Sequence, residues 1–505
     1  MSQTAYALFS SAEARFELRP SLTQTARIFP LARERRRILF VTSEMSDFVQ
    51  VGGLGAVSAS LPRALRRHCD VRILLPGYRQ VLAACPRLEL VGHLPGVGEI
   101  PPCSIGKVVT SDGLTVYIVL CEELYDREGC PYVGAPGAEF PDNDIRFARL
   151  SLAAARLAID NHVGWRPEVV HLNDWQSALA AGYIAWSGAQ IPTLLTVHNL
   201  AHQGLYEASR TAALAIPMDA FTMEGVEFFG KVSFLKAGMR YASHVNTVSV
   251  AYAEEITRPE FGCGLEGVLL ERALQGRLSG IINGIDDSWD PRQDTRCPFR
   301  YDPNSWKSRY ADYIRGVFGL SLSRAPLFCV VSRLVHQKGV DLTLQAAETI
   351  VALGGQLVVT GRGETVYERA FLDRASRFSD AVGVRIGFDP EEARAIIAAS
   401  DFILMPSRFE PCGLSQTYAQ RFGALPIASR TGGLIETIDH GRTGLLFESG
   451  DLDAYVAAIK SAFEIYGAAR KMNDMRRAAM ALKYDWSGSA QRYHALYHEI
   501  SQPRG

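Results

Sequence analysis

Short, mostly apolar runs of three to six residues recur along this chain. Each gives way to a polar or glycine-bearing turn and then to helical spacing. The first is Ile38-Leu39-Phe40-Val41, and others occupy residues 71–76, 116–120, 169–171 and 193–198. Between them a Gly52-Gly53-Leu54-Gly55 turn leads into helical spacing over 57–67, and residues 148–158 read as a helix. Runs that are apolar on both faces suit strands covered on both sides, so the alternation predicts a parallel sheet wrapped in helices. The pattern then breaks and restarts. Ile281-Ile282 runs into the turn pair Asn283-Gly284, and a polar stretch rich in Pro and Arg follows over 290–309. A second series begins at 326–331 and continues at 356–361, 384–387 and 402–406. The reading is α/β, with two doubly wound halves over residues 38–278 and 279–481 and a break within 279–325.

In open sheets of this kind ligands bind beyond the carboxyl ends of strands, where helix amides converge. The polar residues at those positions are therefore the candidates. Phe402-Ile403-Leu404-Met405 ends in Pro406, after which come Ser407, Glu410, Cys412, Gly413 and Leu414, then helical character over 416–422. Thr431-Gly432-Gly433-Leu434 follows the next turn. Arg333 and Lys338 flank the first strand-to-helix loop of the second series, where two fixed cations can neutralise a diphosphate. In the first half, His171, Asp174 and Gln176 follow one strand, while His198, Asn199 and His202 follow another. Polar groups at strand ends suit contacts with sugar hydroxyls. His198 and His202 have the spacing of a helical metal pair, but they leave a strand, and neither a following Glu nor a nearby Cys supports a metal. The Gly52–Gly55 turn lets a backbone approach a ligand, although Ser58 stands where a dinucleotide fingerprint needs its third glycine. Asp142 or Asn143 is placed to cap the helix that follows it.

Composition narrows the class. The 505 residues are 47% apolar and 21% charged, which suits packed domains rather than extended disorder. Fifty-three Lys and Arg against 54 Asp and Glu leave a net charge of -1, unlike a protein that coats nucleic acid. No run approaches the length of a membrane helix. Nine cysteines without a C-x-x-C pair read as thiols in a reducing compartment. Residues 1–37, with seven arginines and three glutamates, read as a flexible extension without the apolar core of a secretory signal.

Taken together, the Glu410 loop, the 332–339 segment, the 196–204 segment and Ile282-Asn283-Gly284-Ile285-Asp286 resemble the bacterial glycogen synthase and plant starch synthase family. These are retaining glucosyltransferases of the GT-B fold, in which two Rossmann-like domains face a deep cleft. The resemblance runs from about Ile38 to about Ile500. It implies that residues 482–503 form a last helix crossing back to the first domain. It further implies that Arg333 and Lys338 hold the donor diphosphate and that Glu410 bonds the transferred glucose. Cys412, Gly413, Leu414 and Ser415 would position the donor, and Thr431, Gly432 and Gly433 would shape the pocket floor. Asp174, His198 and Asn283 would line the sugar and acceptor side, with Gly52 and Gly53 closing over the donor from the opposite domain. The implied substrates are ADP-glucose and an α-1,4-glucan, with no metal or cofactor, no nucleic acid and no membrane. The implied location is the cytoplasm, or a plastid in a plant or alga.

Three departures stand out. Gln50 replaces the family's lysine before the Gly-rich turn, and Ala56 replaces an aspartate after it. Asn173-Asp174-Trp175-Gln176 replaces H-D-W-H, keeping the carboxylate and losing both histidines. A transferase with another acceptor, or a glucan-binding paralogue of low turnover, are the alternatives these changes leave open.

Overall fold

The computed structural model describes residues 35–134, 137–296, 298–303 and 305–502, and from Arg36 onward the chain clusters as one unit. Residues 1–34 of the expected extension lie outside the described residues. Its boundary shifts by one position, because Arg37 already belongs to the first strand. The Arg37 amide donates to Glu168 at 3.0 Å, and its backbone pairs with Asp70.

In the first half, β1 (Arg37–Val41), β2 (Asp70–Pro76), β3 (Glu89–Leu94), β4 (Cys103–Val109), β5 (Thr115–Leu120), β6 (Val169–Asn173) and β7 (Thr193–Val197) enter one sheet. A small antiparallel sheet of β8 (Leu205–Glu207), β9 (Glu227–Phe228) and β10 (Lys231–Ser233) interrupts the series. β11 (His244–Thr247) and β12 (Leu278–Gly280) then complete a nine-stranded sheet ordered β12-β11-β7-β6-β1-β2-β5-β4-β3. That sheet is parallel except at the β5-β4-β3 edge, which is antiparallel. β3 and β4 escaped the sequence reading because neither is an unbroken apolar run, β3 being largely exposed and β4 only partly covered. β11 escaped because it is polar: His244, Asn246 and Thr247 are fully buried, yet each finds a partner.

The second half carries β13 (Leu327–Val331), β14 (Gln356–Gly361), β15 (Val382–Ile386), β16 (Phe402–Met405), β17 (Leu425–Ser429) and β18 (Leu445–Phe447). They form an all-parallel sheet ordered β15-β14-β13-β16-β17-β18. β17, which the sequence reading did not include, carries Pro426 within it opposite Ile403. Two apolar clusters pack on the faces of this sheet, around Phe328 and Val359 in one and Cys329 and Ile403 in the other.

The helix Trp486–Ile500 packs on the first half, where Tyr493, Leu496 and Tyr497 join that core. Its polar groups are matched too. The Tyr497 hydroxyl lies 2.8 Å from Nδ1 of buried His171, and the Tyr493 hydroxyl accepts from Asn246 at 3.0 Å. Burial of His171 pushes its pKa down to about 3, so it stays neutral and serves as a structural bond rather than a charge.

Both sheets reverse direction at one point. From β1 the chain order runs outward to β2 on one side and to β6 on the other; from β13 it runs to β14 and to β16. Each reversal opens a crevice at the carboxyl ends of its strands.

Candidate active site

Adjacent strands put the candidate residues side by side. The neighbours β1, β6 and β7 lead respectively into Glu44, Asp174 and His198. β13, β16 and β17, also neighbours, lead into Lys338, Glu410 and Thr431. With strands roughly 5 Å apart, each trio falls within one ligand's span.

In the second half Lys338 Nζ donates to Glu410 Oε2 at 2.6 Å, and the Ser407 hydroxyl donates to the same oxygen at 3.0 Å. Glu410 is buried, so the carboxylate is held by partners rather than by water. The loop can reach this position because Gly339 takes a positive φ of 63°, and a Cβ there would lie 1.9 Å from the Pro406 carbonyl oxygen. The Glu410 backbone is fixed from the other side, where its carbonyl accepts the Gly433 amide at 3.0 Å. Arg333 stays exposed at the same edge, its guanidinium donating to Gln337 at 3.2 Å. Gly413, with φ 68°, turns the chain into the helix Ser415–Arg421, leaving Leu414 at its start. Cys412 is different. Its thiol is buried against Asn283, and burial pushes it up to about 12, so it packs the turn and offers no ionised group.

In the first half, Asp174 adopts φ 55°, an unusual backbone for a residue with a Cβ. The strained turn aims its carboxylate back at β7, where it accepts the His198 amide at 2.6 Å. Burial raises the Asp174 pKa to about 7 against the pull of the His198 and Asn199 amides. Burial also lowers His198 to about 4, so its imidazole is neutral. Its Nε2 lies 3.0 Å from Asn173 Oδ1, while Asn173 Nδ2 donates to Val41. Asn173, one of the family departures, thereby sets the tautomer and ring orientation of His198. Gln176 is buried in the helix Trp175–Trp186 with its Oε1 unpartnered, and Asn283 Oδ1 is likewise buried without a partner.

Glu44, which sequence reasoning passed over as the tail of β1, organises the Gly-rich loop. Its carboxylate accepts the Val51 amide at 2.6 Å, the Gly52 amide at 3.0 Å and the Tyr132 hydroxyl. The loop itself is shorter than expected, since its glycines already form the first turn of the helix Gly53–Leu65. Gln50 is exposed beside it and donates to the Gly52 carbonyl at 3.2 Å. The expected caps at 142–143 are also corrected: Asp142 makes no side-chain cap and pairs with Arg127 at 2.7 Å, while Asn143 accepts from Arg146.

The two trios face each other. A Cβ on Gly53 would stand 3.7 Å from the Leu414 side chain, and the Ser249 hydroxyl donates to the Pro411 carbonyl at 2.6 Å. Burial, and after it the Arg333 guanidinium, holds the His202 pKa below its ordinary value.

Comparison with known proteins gives this arrangement a family. Residues 37–271 match the starch synthase catalytic domain, and residues 319–480 match the glycosyl transferases group 1. The chain is 52% identical over 460 residues to glycogen synthase 1 of Bradyrhizobium diazoefficiens, covering 90% of this chain and 100% of that one. This chain belongs to the glycogen synthase family. A glycogen synthase of Pseudomonas aeruginosa is likewise 52% identical over 471 residues, 93% of this chain and 92% of its own length. Among solved structures, the catalytic domain of starch synthase IV from Arabidopsis thaliana, bound to ADP and acarbose, superposes with a TM-score of 0.81 at 28% identity. It matches over 93% of this chain and 100% of that one. A sucrose-phosphate synthase from Thermosynechococcus elongatus, 18% identical with a TM-score of 0.57, shares the fold. The glycogen synthase family member described here is thus a GT-B glycosyltransferase. No helix among its described residues is long and apolar enough to cross a membrane.

Proposed function

We propose that this enzyme transfers glucose from ADP-glucose to the non-reducing end of an α-1,4-glucan with retention of configuration. The observation that carries this reading is the Lys338–Glu410 pair at the sheet's reversal point, opposed by the Asp174–His198 pair. Lys338 and Arg333 neutralise the donor diphosphate and stabilise it as it leaves. Glu410, the backbone at Gly413 and Leu414, and Ser415 orient the glucose. The Thr431-Gly432-Gly433 turn forms the floor. Asp174 and neutral His198 bond sugar hydroxyls from the other side, and the loop at Gln50, Gly52 and Gly53 covers the donor. The anomeric carbon–oxygen bond to the diphosphate breaks as the acceptor hydroxyl bonds on the same face, and that hydroxyl's proton passes to the departing phosphate oxygen.

Closure of the cleft excludes water, which would otherwise take the glucose. In this scheme the two cations supply the charge neutralisation, and we assign the reaction no metal or other cofactor. The family relationship supports a nucleotide sugar and a glucan as partners; we assign the enzyme no nucleic acid or membrane partner and place the reaction in the cytoplasm.

The test supplies labelled ADP-glucose or UDP-glucose with glycogen. Label in polymer from ADP-glucose supports the proposal. Label from UDP-glucose alone overturns the donor, label on a small acceptor overturns the glucan, and absence of any transfer makes the chain a binding paralogue.

A further inference from the structure

Two short helices from opposite halves exchange caps. The helix Val250–Glu255 belongs to the first half and Gly432–Thr437 to the second. Glu255, at the end of one, accepts the Gly432 amide at 2.8 Å and the Thr431 hydroxyl at 3.1 Å, both on its Oε1. Glu436, near the end of the other, accepts the Ala251 amide at 2.6 Å. Each carboxylate therefore satisfies first-turn amides that its partner helix cannot satisfy internally. The Ser249 hydroxyl adds a third link to the Pro411 carbonyl beside them.

This exchange touches the site through the backbone. Gly432 has φ 45°, and a Cβ there would lie 2.0 Å from the Glu410 carbonyl oxygen. The next amide, Gly433, donates to that same oxygen. A displacement at Gly432 is therefore passed to the Glu410 backbone with no slack between them. The Glu255 Oε2 is buried and makes no hydrogen bond to the rest of the protein.

We propose that Glu255 is a positioning residue that, reciprocally with Glu436, clasps the two halves at the donor pocket and sets Glu410 through the Thr431–Gly433 turn. The inference rests on the reading of Glu410 and that turn as the donor pocket. Their effect is on how the opposite half holds the catalytic loop.

The test compares Glu255→Ala, Glu255→Gln, Glu436→Ala and the Glu255→Ala/Glu436→Ala pair in the full-length enzyme. Glu255→Ala should lower kcat on the order of tenfold, since small misplacements near the reacting centre are costly. Glu255→Gln should restore most of it, because the amide carbonyl can still accept from Gly432. The double variant should lose no more than the worse single one, as expected for groups acting as a unit. Amide hydrogen exchange across residues 430–434 should quicken in Glu255→Ala, independently of any turnover.

An unchanged kcat in Glu255→Ala, fully additive losses, or Gln behaving like Ala would each overturn the clasp. If the unmodified enzyme fails to use ADP-glucose, the functional reading fails. Hydrogen exchange then still decides the clasp, which unchanged exchange in Glu255→Ala would overturn.

Discussion

Certain glycines at the candidate site differ sharply between the two halves. In the second half a Cβ at Gly339 would meet backbone at 1.9 Å, at Gly432 at 2.0 Å and at Gly433 at 2.2 Å. There the chain packs against itself so tightly that a methyl group has nowhere to go. In the first half Gly52 has nothing within 4 Å, and Gly53 only the Leu414 side chain at 3.7 Å. Those two glycines stand open where the candidate site lies. The second half is thus a pre-set cradle, with Lys338 and Glu410 already paired. The first half presents a cover, held at its root by Glu44 and open at its tip.

That contrast can be broken most severely at its charged centre. Glu410→Ala should reduce glucosyl transfer on the order of a hundredfold or more while the far-ultraviolet circular dichroism stays unchanged. Full activity would remove Glu410 from the site. Next come the glycines themselves. Gly432→Ala should lower the unfolding free energy by roughly 1–3 kcal/mol, as overpacking does, in a denaturant titration. Gly52→Ala should leave stability unaltered and raise the donor KM. Equal stability losses would erase the distinction between cradle and cover.

Asp174 offers a pH test. Burial raises its pKa from an ordinary 3.8 to about 7, so the folded state disfavours the ionised carboxylate. Its contribution to stability is therefore complete below pH 3.8 and is lost as pH climbs through 7. Asp174→Asn should flatten the stability profile across that window. It should also displace the acidic limb of the rate profile if the ionised form binds the sugar.

The smallest effect is expected at Gln50, which is exposed at the tip of the cover. Gln50→Lys should lower the donor KM by a few-fold, in keeping with about 1 kcal/mol for a solvated ion contact. An unaltered KM would mean that this loop no longer meets phosphate.

Some of this molecule could be read directly from the chain. Runs such as Phe402 to Met405 and Leu327 to Val331 are short, apolar on both faces and bounded by turn residues, which suits a covered parallel strand. Polar residues directly after them, including Glu410, Lys338, Asp174 and His198, were visible because strand ends are where such sheets bind ligands. Glu255 left no comparable mark. On sequence it is one of two adjacent glutamates in a short helix, indistinguishable from a solvated face. Glu44 looked like the tail of a strand, and Asn173 like a lost histidine.

Their roles depend on partners distant in the chain, among them Gly432 for Glu255, Tyr132 for Glu44 and His198 for Asn173. Periodicity is local, so the sequence by itself determined the apolar, covered strands and the edge on which the chemistry gathers, but not the polar β11 or the half-exposed β3 and β4. Which oxygen meets which amide is set by how two sheets pack and face each other, and only the tertiary structure decided that.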